Sequence, residues 1–153
     1  MRTVVLALAL ALLAGCGRDA PPITASAASS TQQAQARIGD VVVHASVVQT
    51  STLDEAVARE YGLERSDRTA MLLISARNAN GDAPPSAVDI TATVAPVNGV
   101  PQPIALREVH VGDLVDHVGT VDIAPPETLK FDVTLRYGSA TSSMQFTRDF
   151  FPR

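Results

Sequence analysis

The chain has 153 residues, enough for one ordinary domain. Hydrophobic residues make up 46%, charged residues 18% and aromatic residues 4%, and a single Cys excludes an internal disulfide framework, a Cys-rich zinc site and an iron–sulfur cluster. Residues 39–153 carry nine basic against fifteen acidic side chains, so the clustered positive charge that binds nucleic acid is missing.

The N-terminus reads as an address. Arg2 supplies a positive charge, and the eleven apolar residues from Val4 to Ala14 have the length of a signal-peptide core. That run is too short to cross a bilayer as a stable helix. It ends in Leu13-Ala14-Gly15-Cys16, which resembles the bacterial lipobox cleaved just before its cysteine. The resemblance implies a signal peptide over 1–15 and a lipid on Cys16, whose several acyl chains hold the protein to a membrane. Gly17 follows, where Asp would mark inner-membrane retention in enteric bacteria. The expected location is therefore the cell envelope, on the periplasmic face of the outer membrane.

Residues 16–38 then read as anchor and tether. Ala, Ser, Thr and Gln dominate, and such a segment buries too little surface to offset its chain entropy. As flexible coil it spans about 25 Å.

From residue 39 the dominant period is two, as in strands with one face on a core and one in water. Val88, Ile90, Ala92 and Val94 alternate with polar residues, and so do Leu129, Phe131, Val133, Leu135 and Tyr137. Predicted strands run over 40–49, 69–78, 87–97, 103–110, 114–123, 128–137 and 142–150. Asn80-Gly81, Asn98-Gly99, Gly112-Asp113, Pro125-Pro126 and Gly138-Ser139 supply the turns between them. About seven short strands predict an all-β, antiparallel, immunoglobulin-like β-sandwich over 39–153, with a closed barrel as the alternative.

One short helix is predicted near residues 53–61. Thr52-Leu53-Asp54-Glu55 has the pattern of a capping box, and Gly62 is placed to end the helix in a left-handed conformation. Leu53, Val57 and Tyr61 form the stripe expected to dock on the sandwich.

Val43-His44, the helix ending in Tyr61-Gly62-Leu63, Arg65-Ser66, Arg107-Glu108-Val109 with Gly112-Asp113, and the closing Phe146-Thr147-Arg148-Asp149-Phe150-Phe151-Pro152 recur in one order. Together they resemble the bacterial family catalogued as domain of unknown function 4426, across about 44–152. The resemblance implies an exported envelope protein and carries no activity or cofactor with it. It is weakest at Ala45, Ser46 and Val47, where the family tends to carry aromatic and Asn residues.

Chemistry is sparse. No G-x-S-x-G, H-E-x-x-H or glycine-rich phosphate loop occurs, so a non-catalytic protein without a cofactor is expected. His110, Asp113, Asp116 and His117 would share a helix face only in part, and on a strand Asp116 and His117 point to opposite sides. No metal site is expected; a copper-like site would need His44, His110 and His117 to converge, with Met71 and Met144 available nearby. Tyr61, Arg65, Ser66 and Arg68 form the candidate interaction surface, since arginine beside tyrosine suits recognition of a protein or an anion. The competing reading has Arg65 and Arg68 paired with Glu60, Glu64 or Asp67. Arg148, inward by parity, is expected to pair with Glu108 or with a neighbour of Asp149. The function read from these residues is a lipid-anchored module that binds an envelope protein. The alternative is a module for a small ligand or metal ion.

Overall fold

The computed structural model describes residues 33–82 and 87–153. The signal segment, Cys16 and most of the tether lie outside the described residues.

Among the described residues nine strands form two antiparallel sheets. One sheet has the order β1-β2-β3-β7-β6, from Gln33–Ile38, Val41–Gln49, Thr69–Asn78, Leu114–Asp122 and Arg107–Val111. The other has the order β5-β4-β8-β9, from Gln102–Ile104, Asp89–Pro96, Glu127–Tyr137 and Ala140–Phe150. The alternation of the sequence sets which side chains face inward. Val43, Ala45 and Val47 of β2 register with Ala76, Ile74 and Leu72 of β3 on the buried face, and Val41 continues it. Leu129, Phe131, Val133 and Leu135 of β8 meet them from the other sheet. Phe131 and Phe146 stack across β8 and β9 with centroids 5.4 Å apart. Burying this apolar set is the main stabilising contribution, at about 25 cal/mol per Å² removed from water. The two sheets make a sandwich, and β1 lies alongside β9 so that this flank is covered.

Two expectations are corrected. The tether ends earlier than residue 38, because Gln33–Ile38 is a strand paired with Ile38↔Val41 through Gln33↔Ser46. Its inward positions Ala34, Ala36 and Ile38 keep the period of two, with side chains too small to stand out. The strand expected over 103–110 is two strands in different sheets, since the chain crosses between them at Ala105-Leu106.

The crossing needs Gly119. A Cβ there would stand 2.5 Å from Ile104 Cγ2 and 3.1 Å from the Ala105 carbonyl oxygen.

The helix is present but shorter at its start. A 3-10 turn, Thr50–Thr52, precedes α1, Glu55–Glu60, whose N-cap is Asp54. The capping box does not form: the Thr52 hydroxyl donates backward to the Gln49 carbonyl at 2.8 Å. The C-terminal reading holds. Gly62 has φ 59°, and the Leu63 amide closes on the Ala58 carbonyl at 2.8 Å, the Schellman arrangement.

Candidate functional site

The functional residues read from the sequence fall into three places. The first is the outer face of the five-stranded sheet, where α1 docks. Ser75 and Asp116 register on that face, and Asp116 is 6% exposed. Arg77 donates to Asp116 Oδ1 at 2.8 Å and the Tyr61 hydroxyl donates to Oδ2 at 3.2 Å. Burial, then the Asp116 charge, raises the Tyr61 pKa and keeps its phenol a donor. Arg107 donates to the Tyr61 carbonyl and ties the edge strand to the helix C-terminus. Tyr61 is thus held from within, and this cluster joins helix to sheet.

The histidines occupy two faces. His44 registers with Ser75 on the outer face, half-buried. His117 registers with Ile74 on the inner face, where Glu108 approaches its Nε2 at 3.8 Å and Nδ1 is buried with no hydrogen-bond partner. His110 registers with Val115 on that same inner side of β6. Because His44 lies across the sheet from the other two, the three do not converge. Among the described residues no group of three His, Cys, Asp or Glu side chains could hold a metal ion. Met71 and Met144 are buried in apolar packing. Asp116 and His117 face opposite sides, as strand parity requires.

The third place is one end of the sandwich. Register puts the ends of β2 and β9, the start of β8 and the β4–β5 turn together there, with the connector 63–68 and the C-terminus. The connector is fastened by Thr50, which is fully buried. Its Oγ1 donates to the Ser66 carbonyl at 3.2 Å and accepts from the Ser66 amide at 2.9 Å. Ser66 Oγ accepts from the Arg68 amide at 3.0 Å. Arg65 is exposed and donates to the Ser51 carbonyl at 2.9 Å; no described acid pairs with Arg65 or Arg68, which corrects the expected ion pairs with Glu60, Glu64 or Asp67. Arg148 also lacks the acid expected for it. Glu108 stands beside His117, and Asp149 accepts from the Thr128 hydroxyl at 2.6 Å. The Arg148 guanidinium instead lies 5.9 Å above the Phe146 ring.

This end also gathers apolar surface that the sequence reading passed over. Val97 is 56% exposed, Val100 75% and Phe151 66%, and these are the exposed large hydrophobics among the described residues. The Gly99 amide closes the turn that carries Val97 on the Pro96 carbonyl at 2.9 Å, with Val100 just beyond it. Gln33 registers with Ser46, so the chain enters the sandwich at this same end.

Two antiparallel sheets, with a short helix held to the outer face of one by the Tyr61–Asp116–Arg77 cluster, define a small β-sandwich domain. The chain belongs to the family described as domain of unknown function DUF4426, whose model matches residues 35–153. It is similar to the crystal structure of a DUF4426 family protein from Pseudomonas aeruginosa, with 24% identity and a TM-score of 0.64 over 80% of this chain and 97% of that one. It also shares its fold with a copper-bound FetP variant of uropathogenic Escherichia coli, at 9% identity and a TM-score of 0.52 over 78% of this chain and 95% of that one. No curated protein sequence matches the chain.

Proposed function

We propose that this chain is a non-catalytic envelope module, lipid-anchored through Cys16 on the periplasmic face of the outer membrane, that binds a protein partner with one end of its sandwich. The observation that carries the reading is the gathering of Val97, Val100 and Phe151 at that end. An apolar residue on a hydrogen-bonded turn, as Val97 is, loses little conformational entropy on binding, which makes it an effective anchor. Arg65 and Arg68 are exposed on the connector at the same end and would supply a polar rim. The chain enters β1 at the same end, so the partner is one held close to the membrane. The copper-like reading keeps the likeness in fold to the copper-bound FetP variant, but the three histidines of this chain lie on two faces.

Photo-crosslinking in cells tests the partner. A photoreactive phenylalanine analogue at Val100 or Phe151 of the full chain is expected to give one adduct of discrete mass. The same analogue at Ser139, in the hairpin at the far end, is expected to give none. Arg65→Glu is expected to reduce the Val100 adduct. Equal adducts from both ends, or none from Val100 and Phe151, overturn the reading. For the anchor, Cys16→Ser is expected to move the chain out of the membrane fraction, and continued membrane residence overturns that part.

A further inference from the structure

A cavity of about 410 Å³ lies at the end just described, between the ends of β2 and β9. Val48, Gln49 and Thr52 line it from one side, Arg148, Phe151 and Arg153 from the other. Small-ligand sites run from about 300 to 1,000 Å³. Arg148 is brought here by the alternation of β9, which registers it with Leu129 on the inner face. Its Nε is buried with no hydrogen-bond partner, and no described carboxylate forms an ion pair with it. The guanidinium is half-buried over the Phe146 ring, and its Nε–H is a donor without an acceptor, ready for an anion that enters the mouth. Arg153 is set beside it by a relay. The Gln49 side chain donates to the Asp67 carbonyl at 2.6 Å and accepts from Arg153 Nε at 3.2 Å.

We propose that this mouth binds a carboxylate carried on an apolar body, with Arg148 and Arg153 as its cationic partners. The lining also includes Asp149, whose carboxylate accepts from the Thr128 hydroxyl at 2.6 Å. A planar guanidinium fork matches the two oxygens of a carboxylate, while Val48 and Phe151 offer apolar wall to the rest of the ligand. This inference does not depend on a protein partner: its test uses the purified chain alone, and crosslinking at Val100 stands or falls separately.

The test is a titration of the full ¹⁵N-labelled chain in detergent with benzoate, followed at the arginine Nε–Hε resonances. Saturable shifts are expected at Arg148 and Arg153, with benzamide, the neutral isostere, binding roughly tenfold or more weakly. Arg153→Gln, at an exposed position that folding tolerates, is expected to weaken benzoate by a similar factor and to leave distant amides unmoved. No saturable shift, equal affinity for benzamide, or unchanged affinity in Arg153→Gln overturns the proposal. A short peptide ending in a free phenylalanine carboxylate separates the two sources of such a group. Tighter binding than benzoate assigns a peptide terminus, and weaker binding assigns a free acid.

Discussion

Arg77 of β3 and Asp116 of β7 meet at 2.8 Å on the outer face of the five-stranded sheet, beneath the helix, and the Tyr61 hydroxyl completes the carboxylate at 3.2 Å. Asp116 is the buried member, with its side chain 8% exposed against 19% for Arg77. Removing the carboxylate leaves a guanidinium that water reaches only in part, with the Ala76 carbonyl at 2.7 Å as a remaining acceptor. Asp116→Ala is therefore expected to cost about 3 kcal/mol in urea unfolding, the low end of the range for breaking a buried pair. Tyr61→Phe removes one hydrogen bond and is expected to cost about 1 kcal/mol. Because both act on one carboxylate, the double variant is expected to cost less than the two single losses together. Additive losses would mean that Tyr61 does not work through Asp116.

Gly119 is a second point where a small change acts far from any site. The β5–β6 crossing lies on β7 so closely that a methyl group would meet Ile104 Cγ2 at 2.5 Å and Leu106 Cδ2 at 3.0 Å. Gly119→Ala is expected to destabilise the domain by about 1–3 kcal/mol through overpacking. Combined with Ile104→Ala, which opens space at the same spot, the loss is expected to fall short of the sum. A Gly119→Ala chain as stable as the parent would show that the crossing strand yields easily.

The residues that declared the fold are those with large side chains on a strict period. Val41 to Val47 and Leu129 to Leu135 announce inward faces because every alternate residue but Ala45 is branched or aromatic. The strand Gln33–Ile38 escaped because its inward positions are mostly alanine, in a composition shared with the preceding tether. Residues 103–110 misled because nothing local marks a change of sheet. The constraint sits at Gly119 on another strand. In the same way, Thr52 and Glu55 have the spacing of a capping box, but Thr50 is pinned by Ser66 and the chain turns before the helix begins. The candidate surface was legible only as residue types. Arg65 and Ser66 were visible, whereas Val97, Val100 and Arg153 join them through register between distant strands.

The connector offers a clean separation of structural from surface roles. Thr50→Val keeps the shape but removes the donor to the Ser66 carbonyl and the acceptor of the Ser66 amide. It is expected to cost about 1–3 kcal/mol and to speed hydrogen exchange at Ser66. Arg65→Glu, at an exposed position with one bond to the Ser51 carbonyl, is expected to change stability by no more than about 0.5 kcal/mol. A large loss in Arg65→Glu would assign that arginine a structural role and remove it as a probe of partner binding.

His117 makes the domain's stability depend on pH. Burial lowers its pKa from the ordinary 6.5, outweighing the nearby Glu108 and Asp116 carboxylates, which raise it. The unfolded chain thus takes up a proton at a pH where the folded domain still resists one. The stability linked to the neutral imidazole is fully present above the unfolded value of 6.5 and is lost as pH falls below it toward the folded value. Urea unfolding at pH 7.5 and pH 5.5 is expected to show the parent losing more stability on acidification than His117→Gln, at roughly these bracketing values. Glu108→Gln removes a charge that favours the imidazolium, so it is expected to enlarge the parent's loss. An equal loss in the parent and His117→Gln would show that other groups carry the acid sensitivity. A smaller loss in Glu108→Gln would show that the carboxylate 3.8 Å away is too well solvated to act on the ring.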